Sequence, residues 1–296
     1  QIGGEGQVKG GGLDGARFFA KLSQRKSLGQ VFLQEQSIIN KILKHANITN
    51  DTDVMEIGCG LGILTIPLAK TAKSLVVVES DSGFLAAALN KIPKSDQRNL
   101  TPVHADFTRV KFDPVPVERF VVVANLPYQI STPFVEAVIE SRDRIERCVV
   151  MLQREFADRM AAVPNNKMYG SLSIFAQFYL HVEPLFDVPR TAFKPQPRVE
   201  SQVISIKPRK APLYSLNEDL FFRLVRSAFW GRRKSLAKCI KEAPYLKNVE
   251  PPPRAPSQCP FFQESPLVRG EALSIEDFAR VYDELFAAHA PAAVRN

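Results

Sequence analysis

"VMEIGCGLGILT", residues 54–65, decides how the rest of the chain is read. Val54 to Ile57 make a short apolar run around a single Glu, too short for a helix and ended by a glycine, which is how a buried strand reads. Gly58, Gly60 and Gly62 follow at alternate positions. Such a turn lets the backbone bend sharply and brings main-chain N–H groups at a helix start within reach of a ligand. A dinucleotide fingerprint would read GxGxxG. Here the glycines stand at i, i+2 and i+4 behind the acidic Glu56, which points to a different ligand.

Outward from this turn, strand-like and helix-like segments alternate. Strands are expected at Val54–Ile57, Leu75–Glu79, Thr101–His104, Phe120–Ala124 and Cys148–Leu152. Helices are expected near Ser37–His45, Ile63–Thr71, Phe84–Asn90, Pro133–Ser141 and Glu155–Val163. That alternation predicts an α/β fold with a doubly wound, mostly parallel sheet. The Pro-punctuated stretch "PRTAFKPQPRVESQVISIKP" closes it with one more strand at Gln202–Lys207. Beyond it the pattern turns helical, over Glu218–Glu242 and Ser274–Ala287, with a Pro-rich loop between them. The expected organisation is a tail or targeting remnant over 1–25, the α/β domain over 26–209 and a small helical domain over 210–296. The tail is Gly-rich, and no internal repeat is visible.

The net charge of +8 is unevenly spread. From Arg190 onward 18 Lys and Arg stand against 11 Asp and Glu, so nearly all of the excess lies in the C-terminal third. A one-sided basic region suggests a polyanion partner, with a merely solubilising surface as the weaker alternative. No apolar stretch reaches the length of a membrane span. The four cysteines, Cys59, Cys148, Cys239 and Cys259, show no metal-ligand spacing, so no metal is expected. Their pattern points to a reduced, cytoplasmic compartment, or an organelle interior if a targeting segment preceded this start.

Parallel strands present ligands at their carboxyl ends. "LVVVESD" places Glu79 at such an end, where a carboxylate can accept both ribose hydroxyls of an adenosine. "HADF" adds Asp106, able to accept from an adenine amine, beside Phe107. Each carboxylate alone fits a helix N-cap as well. Together with a glycine turn of this spacing they point to S-adenosylmethionine. In "RFVVVANLPYQISTP", residues 119–133, a buried strand runs into Asn125, Leu126, Pro127 and Tyr128. An amide that donates and accepts, a carbonyl aimed by a proline and a flat ring suit a planar base with an exocyclic amine, although an ordinary strand-to-helix turn reads the same way.

These segments together resemble the small-subunit rRNA adenine dimethyltransferases, the KsgA family, kin to the mitochondrial transcription factor B proteins and the Erm methyltransferases. The resemblance runs from about Lys26 to Phe286 through "KSLGQVFL", "EIGCGLGILT", "VVVESD", "HADF", "NLPYQISTP", "MLQREFADRM", "AFKPQPRVESQV", "SAFWGRRKSL" and "RGEALSIEDFARVYDEL". It implies a Rossmann-like methyltransferase domain that dimethylates the N6 amines of two adjacent adenines near the 3′ end of small-subunit rRNA. The implied partner is that rRNA or a pre-30S-type particle, met by a monomer. By similarity Gln30 and Leu33 line the methionine end of the cofactor and Gly58 and Gly60 its carboxylate side. Glu79 takes the ribose, Asp106 the adenine, and Asn125 lies between cofactor and target base. Phe193, in "AFKPQP", matches a second aromatic on the base, and fits a core position equally. Where the family usually carries Asn or His, this chain has Val31. An Erm-type enzyme acting on large-subunit rRNA, or a non-catalytic RNA-binding or transcription factor, would share much of this pattern; Leu126 and the intact Glu79, Asp106 and "NLPY" favour the first reading.

Chemically, an adenine N6 amine is a poor nucleophile, because its lone pair is delocalised into the ring. Asn125 and the Leu126 carbonyl accepting its two N–H bonds would turn that lone pair toward the methyl donor, and Tyr128 would stack on the base. For RNA capture, a continuous helix over Glu218–Glu242 would gather Arg223, Arg226, Arg233, Lys234, Lys238 and Lys241 on one arc of roughly 140° at 100° per residue. Gln153 and Glu155 are expected at a strand tip near the same cleft.

Overall fold

The computed structural model describes residues 31–231 and 233–287, so the expected tail over 1–25 and Gln30 lie outside the described residues. β1 (Phe32–Leu33) leads into α1 (Gln36–Ala46). Then β2 (Asp53–Ile57), α2 (Thr65–Thr71), β3 (Ser74–Glu79), α3 (Ser82–Leu89), β4 (Leu100–His104), α4 (Phe107–Val110), β5 (Phe120–Asn125) and α5 (Ser131–Glu140) alternate as expected. β6 (Ile145–Gln153) and α6 (Arg154–Ala161) complete the alternation. The chain continues through α7 (Ser171–Tyr179), β7 (Leu180–Val188), β8 (Phe193–Lys194) and β9 (Ser201–Pro208). Helices α8 (Glu218–Ala228), α9 (Leu236–Glu242), α10 (Pro260–Glu264) and α11 (Ile275–Leu285) follow.

Seven strands form one sheet in the order β4-β3-β2-β5-β6-β9-β7. The first five are parallel, and β9 and β7 close the edge antiparallel. Val121 to Ala124 are fully buried, as a strand covered on both faces must be. The strand order reverses between β2 and β5, whose register pairs Ile57 with Ala124. Helices leaving in opposite directions open a crevice at that switch point, and Gly58 and Asn125 flank it.

Local chemistry fixes the elements around the crevice. The Asp81 carboxylate caps α3, accepting from the N–H groups of Gly83 at 2.8 Å and Phe84 at 3.2 Å. Gly62 has φ +84°, and a Cβ there would come within 3.0 Å of the Ala88 Cβ, so only glycine lets α3 pack this close to the turn.

Two stretches depart from expectation. Residues 171–188, for which the pattern gave no element, hold α7 and β7. The Glu218–Glu242 helix is two helices, because Trp230 and Gly231 interrupt it after α8 and α9 restarts behind Ser235. The single cationic arc built on a continuous helix is therefore wrong. The helices beyond β9 do not stand apart from the sheet. One apolar core runs from Met55, Val122 and Val150 through Phe178 and Phe221 to Phe278, with Phe178 and Phe221 stacked 5.1 Å apart. The Tyr169 hydroxyl donates to the Leu273 carbonyl at 2.7 Å across the same junction.

Candidate active site

A cavity of about 510 Å³ opens at the β2/β5 switch point, lined by the glycine turn, the β1 segment and the tips of β3 and β5. Gly58 and Gly60 have φ +75° and +50°. A Cβ on Gly60 would stand 3.4 Å from the Phe32 ring, narrowing the space between turn and aromatic wall. Glu79, at the end of β3, is buried. One carboxylate oxygen accepts from the Gly60 N–H at 3.1 Å and the other from the Asp81 N–H at 2.9 Å, so two loops hold it in place.

Glu56 sits one strand over, 1 % exposed, and also lines the cavity. Among the described residues its Oε2 has no hydrogen-bond partner. Burial pushes its carboxyl up to about 8, the Glu79 carboxylate adds to this, and Thr65 acts against it. An orphaned buried carboxyl oxygen calls for a donor that the described residues do not supply. A zwitterionic nucleoside with an ammonium group and ribose hydroxyls fits this wall, so the residues present fit the expected cofactor. The Cys59 thiol, between the two carboxyls, is pushed up by burial and then by Glu56 and Glu79, and is no nucleophile.

Beside the glycine turn the tip of β5 delivers Asn125, Leu126, Pro127 and Tyr128 to the cavity lining, with the Asn125 carbonyl and the Pro127 ring within 4 Å of where a Cβ on Gly58 would stand. The Leu126 N–H donates to the Met151 carbonyl at 3.2 Å, which continues the β5–β6 ladder past the strand end. Pro127 then turns the chain into a single 3₁₀ turn over Tyr128–Ile130. The Ser131 hydroxyl donates to the Tyr128 carbonyl at 3.0 Å.

Of the residues singled out in the sequence, Leu33, Gly58, Gly60, Glu79, Asn125, Leu126, Pro127 and Tyr128 meet around this one cavity. Asp106 does not line it. Its Oδ1 caps α4, accepting from the Thr108 N–H at 2.9 Å and hydroxyl at 2.8 Å, and those two donors hold the carboxyl below its ordinary range. Phe193 is likewise outside the lining: it pairs with Leu33 in the β1–β8 ribbon and is buried in the core with Val188 and Val203. Val31, Phe32 and Gln34 line the cavity without having been singled out for contact through their side chains. Val31 and Phe32 fall in the "KSLGQVFL" segment of the resemblance, which is their signal, and Phe32 is held edge-on against Phe84 with centroids 5.1 Å apart.

The six cations lie on α8, on α9 and in the turn between them. Arg223 pairs with Asp219 at 2.8 Å, and Arg226 stands 5.8 Å over the Tyr245 ring. Lys234 pairs with Glu242 at 2.5 Å and stands 4.3 Å over Trp230, and Lys238 shares Glu242 at 3.8 Å. Trp230 is 45 % exposed and Tyr245 37 %. This surface alternates cations with open aromatic rings, a composition suited to a nucleic-acid backbone and unpaired bases. Gln153 ends β6 and pairs with Ser201 of β9, and Glu155 lies in the first turn of α6.

Comparison with known proteins shows what the chain is similar to. A family described as "Ribosomal RNA adenine dimethylase" matches residues 21–250. The chain is 39% identical over 277 residues to ribosomal RNA small subunit methyltransferase A of Bacillus pumilus, covering 89% of this chain and 91% of that one. It is 40% identical over 272 residues to the protein of the same name from Anoxybacillus flavithermus, with the same coverage. Among solved structures, a dimethyladenosine transferase from Plasmodium falciparum superposes with TM-score 0.73 at 27% identity, covering 86% of this chain and 98% of that one. The 23S rRNA methyltransferase ErmE superposes with TM-score 0.63 at 25% identity, covering 86% and 99%.

Proposed function

Because the chain belongs to the ribosomal RNA adenine dimethylase family, and is therefore an rRNA adenine dimethyltransferase, we propose that it uses S-adenosylmethionine to dimethylate the N6 amines of two adjacent adenines near the 3′ end of small-subunit rRNA. The observation that carries this reading is the register of β2, β3 and β5, which brings the glycine turn, Glu79 and Asn125 to Tyr128 to the lining of a single cavity. The 39–40% relatives named for the small subunit favour that substrate over the large-subunit one.

Bound S-adenosylmethionine supplies an electrophilic sulfonium methyl. Glu79 would accept from its ribose hydroxyls, the orphaned Glu56 oxygen would be available to its amino group and Leu33 would pack beside its methionine end. Asn125 and the Leu126 carbonyl accept from the target amine, drawing the nitrogen out of conjugation so that its lone pair points across the cavity. Tyr128 holds the base by its face and favours the positive charge developing on nitrogen. No strong base is needed, since the proton leaves to water once the nitrogen has become cationic. The segment over 210–296 grips the rRNA, and one copy of the chain suffices. Incubation with unmodified small and large ribosomal subunits, mapped by primer extension, should give stops at two adjacent adenines near the 3′ end of the small-subunit rRNA. Stops confined to large-subunit rRNA, or none, would sink the proposal.

A further inference from the structure

Tyr128 is held at both ends. Its main-chain carbonyl is tied by Ser131, and its ring hydroxyl lies 3.1 Å from the Ser201 hydroxyl, 73 residues away in sequence. Ser201 is the first residue of β9 and is paired on both sides, with Gln153 of β6 and Val188 of β7. Two ladders thus fix its backbone at the same sheet edge that carries Asn125. Its side chain is 1 % exposed, and among the described residues its hydroxyl makes no hydrogen bond other than the one to Tyr128. A buried hydroxyl needs a partner, and a purely packing role at this position would be served by Ala. We propose that Ser201 is a positioning residue for methyl transfer, locking the Tyr128 ring at the angle from which it stacks the target base against Asn125.

The physical reason is rotational. With the Tyr128 main chain fixed in the 3₁₀ turn, the ring keeps two torsions, and the wells for the second are broad. A hydrogen bond at the ring tip removes that freedom, so the stacking face has one orientation before the base arrives. Misplacement of a reacting group by a fraction of an ångström is enough to slow a reaction that depends on alignment. This inference rests on the assignment of Tyr128 to the target base.

The bond can be cut from either side. Tyr128→Phe keeps the stacking face and Ser201→Ala keeps the fold of the strand, yet each should slow single-turnover methylation about 3- to 10-fold, the scale of one neutral hydrogen bond. RNA affinity and cofactor affinity should stay within about 2-fold of the parent. The double variant should be no slower than the slower single one, because the same bond is missing in all three. Ser201→Thr, which keeps the hydroxyl, should restore the parental rate. A reading independent of transfer is the quenching of 2-aminopurine placed at the target position of the RNA: weakened in both single variants, retained in Ser201→Thr, abolished in Tyr128→Ala. Parental rate and quenching in Tyr128→Phe and Ser201→Ala, with Tyr128→Ala slow, would overturn the positioning role and leave the stacking role standing. Parental transfer by Tyr128→Ala would overturn both. Should Ser201→Ala melt early, Tyr128→Phe still reports the same bond from the cavity side, and a parental rate there overturns the proposal.

Discussion

The cavity at the strand tips and the basic surface of α8 and α9 treat charge in opposite ways. In the cavity Glu56 and Glu79 are buried, one with an oxygen lacking any partner among the described residues and one held by main-chain N–H groups. On the surface the carboxylates are open and paired: Glu242 is held below its ordinary range by Lys234 first, with Lys238 and Lys241 adding. Burial raises the Glu56 carboxyl and a cation lowers that of Glu242. The difference teaches where specificity and where affinity reside. A site that must discriminate one amine and one nucleoside is built from groups that cannot move, whereas a surface that follows a phosphate backbone uses cations that exchange partners with little cost.

The comparison breaks most sharply at Asn125. Asn125→Ala should bind RNA almost as the parent does yet transfer methyl at least ~10²-fold more slowly under single-turnover conditions, the scale for losing one preorganised polar group. Near-parental transfer would make the β5 tip an ordinary turn. Next in size is Glu79→Ala, which should weaken S-adenosylmethionine binding by about 1.5–3 kcal/mol, or roughly 10- to 100-fold, the range for a hydrogen bond to a charged group. Calorimetry would show it, and unchanged affinity would remove Glu79 from the cofactor wall.

A third test separates buried from open carboxylates by pH. Glu56 holds a proton in the fold up to about pH 8, whereas the unfolded chain releases it near the ordinary value of 4.5. The native state therefore binds more protons between those values, and stability should fall as pH rises through that window. Glu56→Gln should flatten the fall in denaturant melts taken from pH 5 to 8. An identical slope in parent and variant would mean that Glu56 ionises freely. Glu242 works the other way, stabilising above its ordinary range and losing that contribution in acid. The smallest effect belongs to the surface. Arg226→Ala with Arg233→Ala should weaken RNA binding, lower the slope of log affinity against log salt by about one unit for each phosphate left without its cation, and leave cofactor affinity alone. An unchanged slope would return both residues to a solvated face.

The same contrast governs what was legible in the sequence. β2, β3, β5 and β6 announced themselves through apolar β-branched runs, and a parallel sheet then carries their ends to one edge, so Gly58, Glu79 and Asn125 could be grouped without knowing any helix. Asp106 could not be resolved in this way, because a carboxylate ahead of a helix caps it as readily as it meets a ligand, and here it caps α4. β7 was invisible since it is an edge strand, with Pro184 inside it and polar residues along it. α7, "SLSIFAQFY", is apolar on nearly every face and has no period to read. The break between α8 and α9 had one signal, Gly231, inside an apolar rhythm that continues on both sides. The Tyr128–Ser201 bond had none, as no local pattern links a turn after β5 with the first residue of β9, 73 positions on.

The aromatic core shared by the sheet and the C-terminal helices has a metrical consequence. Phe178 against Phe221, and the Tyr169 hydroxyl on the Leu273 carbonyl, join the two parts by packed rings and not by a tether. If Asn125 meets the target amine and the cations of α8 hold the RNA, as proposed, the two would act at a set spacing like the jaws of a calliper, and an adenine lying at that spacing from the gripped RNA would be the one reached.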